Sequence, residues 1–360
     1  MLLLKLAAVL LLSACLSSGQ VHKEVRKAKH RHYPHQVLIY VYLAHRNNEG
    51  KIIDLMLNRG SGTMIGERWV LTAAHIFSSM TEGNLTYTYN DAEVRQYHGG
   101  NSTAVHQYTA EVEEYIPHDS WNEEFDTRGA TVTLEEYQRY EQMADVCLVY
   151  LRQPLVGARP ATLPNANYII PDGTGLRYAG YGTNDRKKRK LKSRRYSDGN
   201  VEGELQPWPV IPGTRGRQPL LEGEATKLPW YYCDMFLWEH NENGDGIYTL
   251  ETAERYKNYF DGLDTDEVND LKRQHPHPWK ACMGWTDIVY RKPKAGPGDS
   301  GCGVFMGPHR GAGAVETVYG VFVADTLPYR PDAQHFTQTG IFIPVTPLVQ
   351  WITGEMARIR

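Results

Sequence analysis

Short apolar runs recur along the chain between more polar stretches: Val37 to Leu43, Ile52 to Leu57, Trp69 to Thr72, Val146 to Leu151, Val318 to Val323 and Ile341 to Val345. They are rich in Val, Ile, Tyr and Phe and are bounded by Gly, Asn, Asp and Pro. Branched and aromatic side chains suit a pleated, half-buried surface, and the bounding residues supply turns. The pattern predicts an all-β fold, as a sandwich or a pair of barrels. Two regions depart from it. Glu251 to Tyr256 and Asp264 to Lys272 read as two short helices in an insert at 241–274, and Pro347 to the C-terminus reads as a last helix with Leu348, Val349 and Ile352 on one face.

Residues 184–229 carry little apolar periodicity and include Arg186-Lys187-Lys188-Arg189-Lys190 and Arg194-Arg195. Like charges repel and stay solvated, so this stretch reads as a long exposed loop. A processing site of the kind cut by proprotein convertases and a patch for anionic polymers are the alternatives.

The chain has 360 residues, 41% of them hydrophobic, enough for one large domain or two lobes. Its 39 Lys and Arg against 42 Asp and Glu leave a net charge of -3, which gives no general attraction to nucleic acid or anionic membrane. At the N-terminus, Lys5 and an apolar run through Leu12 are followed by the small residues Ser13, Ala14, Ser17, Ser18 and Gly19. This reads as a signal peptide over 1–20 and an exported chain over 21–360. The run falls short of the about 20 apolar residues of a membrane span, and no later stretch qualifies. Leu12-Ser13-Ala14-Cys15 also fits a bacterial lipoprotein cleavage site, which makes lipidation at Cys15 the alternative. Asn84-Leu85-Thr86 and Asn101-Ser102-Thr103 fit the N-glycosylation tripeptide and read as candidate acceptors on polar segments. With Cys15 set aside, Cys147, Cys233, Cys282 and Cys302 allow one or two disulfides on a core that folds largely by burial.

Amide hydrolysis at neutral pH needs an activated nucleophile, a base, a group that orients the base, and donors for the oxyanion. Three local frames offer them: Gly62 through Thr72-Ala73-Ala74-His75, Asp145-Val146-Cys147-Leu148-Val149, and Gly298-Asp299-Ser300-Gly301. Singly, each has an ordinary reading as a packed histidine, a turn-capping aspartate or a Gly-rich turn. Together, in the order His, Asp, Ser on a β-rich exported chain, they favour catalysis.

These frames resemble those of the chymotrypsin/trypsin family. The resemblance extends to Tyr33 through Leu38, Gly180-Tyr181-Gly182, Ala281-Cys282-Met283-Gly284, Gly320 through Asp325 and Gly340-Ile341-Phe342. It implies two six-stranded antiparallel β-barrels, the first over residues 33–165 and the second over 166–360, with the loop and helical inserts in the second. It implies a serine endopeptidase acting on proteins or peptides, subject to protease inhibitors and using no cofactor. His75 would be the general base, Asp145 its orienting carboxylate and Ser300 the nucleophile. The N–H groups of Gly298 and Ser300 would form the oxyanion hole, and Asp299 would receive a new N-terminal ammonium. Lys294, Val323, Asp325 and Gly340 would line the substrate pocket, and Cys233 would bridge to Cys282.

The chain departs from the family in several places. Gly60 and Ile76 stand where a disulfide brackets the histidine, and Gly296 replaces a cysteine beside the nucleophile loop. Cys147 and Cys302, each two residues past a triad member, read either as buried thiols or as a bonded pair. The usual activation motif is missing. Counting back from Pro34 puts the expected terminus near Val21 or His22, so signal removal itself would supply the ammonium. Lys294 would favour an acidic residue before the scissile bond, while Asp325 would favour the opposite charge; acidic preference is the expectation, with broad specificity the alternative. Asn241, Asn243 and Asp245, with Gly246 and then Glu251, approach the spacing of a calcium loop, although the last loop position is Thr252. An ordinary Asn/Gly turn is the expected reading there, and calcium the alternative. A catalytically silent homologue that binds partners through the same fold is the alternative to an active enzyme.

Overall fold

The computed structural model describes residues 26–28, 30–98, 106–122, 143–182, 220–228, 280–284, 298–308, 311, 314–326 and 339–359. In chain order the strands are β1 (Arg26–Lys27), β2 (Gln36–Arg46), β3 (Ile52–Met64), β4 (Trp69–Thr72), β5 (Met80–Glu82), β6 (Leu85–His98) and β7 (His106–Pro117). They continue with β8 (Cys147–Leu151), β9 (Gly175–Gly180), β10 (Leu221–Leu228), β11 (Ala281–Gly284), β12 (Gly303–Met306), β13 (Gly320–Thr326) and β14 (Thr339–Pro344). Helix α1 (Val349–Arg358) follows a 3-10 turn at Thr346–Leu348.

The strands form two closed antiparallel barrels of six. In the first, the order β2-β3-β4-β8-β7-β6 closes through pairing of β2 with β6, and β5 is a short hairpin partner of β6. In the second, β10-β11-β14-β13-β12-β9 closes through pairing of β9 with β10. The two-residue strand β1 adds to the outer edge of β10, pairing Arg26 with Glu222, so the N-terminal end of the described chain lies on the second barrel.

Side chains alternate across a strand, and β2 shows what this does here. Val37, Ile39, Val41 and Leu43 fill the first barrel. Leu38 and Tyr40 face outward into a layer shared with Tyr181, Val321, Val323, Ile341 and Ile343 of the second. Both faces are therefore dry, and the strand reads as a nearly continuous apolar run. The second barrel is filled by Leu176, Tyr178, Met283, Val304, Phe322 and Phe342, among others.

One expectation is corrected. The stretch 184–229, read as loop, ends in the barrel strand β10. Its buried positions include Gly223 and Ala225, with Glu222, Glu224 and Thr226 between them, so the alternation is carried by small residues and gives little hydrophobic signal. The reason is steric: a Cβ on Gly223 would stand 2.3 Å from the Tyr178 ring. The expected helices at 241–274 lie outside the described residues. The C-terminal helix forms as expected, with Leu348 and Ile352 buried.

Candidate active site

The histidine frame folds as its small residues require. β4 ends at Thr72, and Ala73 and Ala74 let the chain turn into the 3-10 segment Ala74–Phe77, which buries His75 to 7% exposure. Asp145 lies two residues before β8, between the fully buried Ala144 and Val146, and is itself 4% exposed. Its two oxygens hold His75 twice. Oδ2 lies 2.6 Å from the ring Nδ1, and Oδ1 accepts the His75 backbone N–H at 2.9 Å. A buried carboxylate needs such partners. With Asp145 ionised, Nδ1 carries the proton, and the lone pair is left on Nε2.

The nucleophile frame is a tight turn tied to both barrels. Gly298 and Gly301 have φ of 95° and 85°, the left-handed region that glycine adopts without strain. At Gly301 space is limiting as well, because a Cβ would stand 2.1 Å from both the Ser61 carbonyl and Thr72 Oγ1. The Gly301 N–H donates to the Phe322 carbonyl of β13 at 2.7 Å, and the Ser300 carbonyl accepts from the Ser61 N–H of β3 at 2.7 Å. Between them, Asp299 is 2% exposed and accepts the Gly182 N–H at 2.7 Å. Its carboxylate occupies space that only glycine leaves, since a Cβ on Gly182 would come within 2.3 Å of it.

β3 joins the two frames. A Cβ on Gly60 would lie 2.8 Å from the Ile76 side chain and 3.1 Å from the Ser300 carbonyl. The positions of the missing family disulfide are thus packed directly against each other, and they bring the histidine turn beside the serine turn. Two side chains reinforce the junction. Asn58 Nδ2 donates to the Ile76 carbonyl at 2.8 Å. Ser61 Oγ donates to the Gly298 carbonyl at 2.8 Å and accepts the Tyr181 N–H at 2.8 Å, so one buried hydroxyl links β3, the nucleophile turn and the second barrel. Sequence reasoning missed both residues. For Ser61 the available signal was a polar residue between two glycines, Gly60 and Gly62, in an otherwise buried strand end.

Val323 on β13 and Gly340 on β14 are buried, and Asp325 is in register with Gly340 across the two strands. Lys294, Asn101, Cys233, the possible calcium residues Asn241, Asn243, Asp245 and Glu251, the signal segment with Cys15, Val21 and His22, and the basic run at 186–195 all lie outside the described residues. Asn84 is exposed at the tip of the β5–β6 hairpin. Cys147 and Cys302 are free, buried thiols and not a bonded pair. Burial pushes both pKa values up, with Asp145 and Asp299 adding to the shift, so neither thiol is reactive at neutral pH. Cys282 on β11 is disulfide-bonded. Among the described residues no group of three His, Cys, Asp or Glu could hold a metal ion, and no helix is long and apolar enough to cross a membrane.

A double β-barrel with a histidine–aspartate pair and a Gly-Asp-Ser-Gly turn at the junction defines a serine-protease fold. The family model "Trypsin" matches residues 26–203, and with the double barrel this supports a chymotrypsin/trypsin-family serine protease. Among solved structures, the chain is similar to one described as "Structure of GrC", with 16% sequence identity, a TM-score of 0.45, and coverage of 92% of this chain and 98% of that one. No curated protein matches the chain.

Proposed function

We propose that the protein is an exported serine endopeptidase that cleaves protein substrates through Ser300, His75 and Asp145. The observation that carries this reading is the double hold of Asp145 on His75, at 2.6 and 2.9 Å, beside a nucleophile turn bonded to the same strand that packs against the histidine turn. In the proposed reaction, Ser300 Oγ attacks the scissile carbonyl while His75 Nε2 takes its proton. The carbonyl electron pair moves onto oxygen, where the N–H groups of Gly298 and Ser300 receive it. Collapse breaks the C–N bond, and His75 gives the proton to the leaving amine. Water then repeats the sequence on the acyl-enzyme and restores Ser300, with Asp145 stabilising the imidazolium throughout.

A fluorophosphonate probe tests the reading. Labelling should be lost in Ser300→Ala, together with about 10⁴-fold or more of peptidase activity. Correctly processed protein that takes no label would favour the silent, partner-binding alternative.

Activation is proposed to follow from signal removal, with a terminus near Val21 or His22 delivering its ammonium to Asp299. The position of β1 supports this. Arg26 pairs with Glu222, which pairs with Ala179, next to Gly180 and the Asp299 carboxylate. Two strand spacings are about 10 Å, and four extended residues reach about 13 Å. N-terminal sequencing of active enzyme should find a start at Val21 or His22; a start well beyond Val21 would remove the proposal. A bridge from Cys233 to Cys282 and glycans on Asn84 and Asn101 belong to the same reading of an exported chain.

A further inference from the structure

We propose that Arg59 recognises an acidic side chain in the leaving segment of the substrate, within the first two residues after the scissile bond. This rests on the endopeptidase reading above. Arg59 pairs with Tyr40 between β3 and β2. Directly opposed residues share a face of the sheet, and Tyr40 belongs to the layer between the barrels. The arginine therefore leaves the strand toward the cleft and not into the first barrel. It arrives at the oxyanion turn: its Nε lies 3.4 Å from the point that a Cβ on Gly298 would occupy.

The nucleophile turn gives the cleft two sides. Gly301 is bonded to Phe322 on β13, the strand that carries the pocket residue Val323. Ser300 is bonded to Ser61 on β3. With the acyl half of the substrate on the β13 side, the leaving half runs along β3, where Arg59 stands two residues before Ser61. The side chain is half-buried, and among the described residues its guanidinium makes no hydrogen bond or ion pair. A partly desolvated cation gains most from an anion, and the planar fork of arginine matches a carboxylate. Each extended residue advances the chain by about 3.3 Å, which limits the reach to the first residues past the cleaved bond.

The test uses internally quenched peptides that are identical before the scissile bond and carry Glu, Gln or Lys at the first or second position after it. With protein whose Ser300 takes the fluorophosphonate label, the expected kcat/KM for Glu exceeds that for Gln by about fivefold at one of the positions, and that for Lys by more. The Glu preference should shrink as ionic strength rises from about 0.05 to 0.5 M. R59E should bring the Glu-to-Lys ratio below one. Equal rates for the Glu and Lys peptides in labelled wild-type protein would overturn the proposal without any variant having to fold. A Glu preference that persists in labelled R59E would overturn it as well. Absence of labelling would instead overturn the endopeptidase reading on which it stands.

Discussion

Ser61 shows how much of this site depends on a residue with no chemistry of its own. Its hydroxyl is the donor to the Gly298 carbonyl and the acceptor for the Tyr181 N–H, both at 2.8 Å in a fully buried position. Removing it leaves two buried backbone groups unpaired, each costing about 1–3 kcal/mol, and frees the turn to repack. We expect Ser61→Ala to lower kcat by roughly 10- to 100-fold, less than the loss of a whole oxyanion donor would cost. A purely structural role would lower thermal stability alone. A positioning role should also weaken a peptide aldehyde, which needs the oxyanion hole, more than a product peptide, which does not. Inhibition constants for the pair decide the matter, and a matched loss for both would assign Ser61 to stability. The pairing of His75 with Asp145 was legible because the proposed base and its proposed orienting carboxylate need particular residue types in particular frames. Ser61 was not, because its role lies in two hydroxyl contacts whose partners are far away along the chain.

The same division holds for the strands. β2, β4 and β8 were read from the sequence because both of their faces are dry and their apolar runs are nearly unbroken. β6 and β7 give no such run, because Ala92, Val94, Ala110 and Val112 turn inward between residues such as Glu93, Arg95, Glu111 and Glu113, so half of each strand reads as solvent-facing. β10 is the extreme case, since its inward Gly223 fits beneath Tyr178 and offers no apolar signal. That fit makes a prediction for the element. Gly223→Val would force its side chain into the Tyr178 ring, and overpacking of this kind costs about 1–3 kcal/mol or more. Because β10 closes the second barrel by pairing with β9 and also carries β1, the expected result is a lower melting temperature and a slower fluorophosphonate reaction. A variant with unchanged melting would show that the barrel relaxes around this position.

Across the whole molecule, the two barrels meet in a shared apolar layer, and α1 closes that layer from outside. The helix follows the last strand of the second barrel but reaches the first. Trp351 lies edge-on to His118 with ring centroids 4.9 Å apart, and Arg358 lies 3.7 Å from Glu114. The Arg358 pair is solvent-exposed and contributes little, so the aromatic contact is the more informative one. His118 is also linked toward the site. Its Nδ1 lies 2.9 Å from Ser120 Oγ, and Ser120 Oγ accepts the N–H of Ala144, the residue before Asp145. Burial lowers the His118 pKa below its usual value, against a weaker opposing effect of Asp119. A folded state that disfavours the imidazolium binds fewer protons than the unfolded chain. The contribution of His118 is therefore fully present above about pH 6.5, the ordinary histidine value, and is lost as the pH falls through the depressed folded value. We expect the wild-type melting temperature to fall, as the pH drops below about 6.5, more steeply than that of His118→Phe, which keeps an aromatic contact with Trp351 but cannot take up a proton. Parallel profiles would assign the acid sensitivity to other groups. A steeper wild-type profile would place the joint between the helix and the first barrel, which reaches Ala144 beside Asp145, as the part of the structure that acid loosens first.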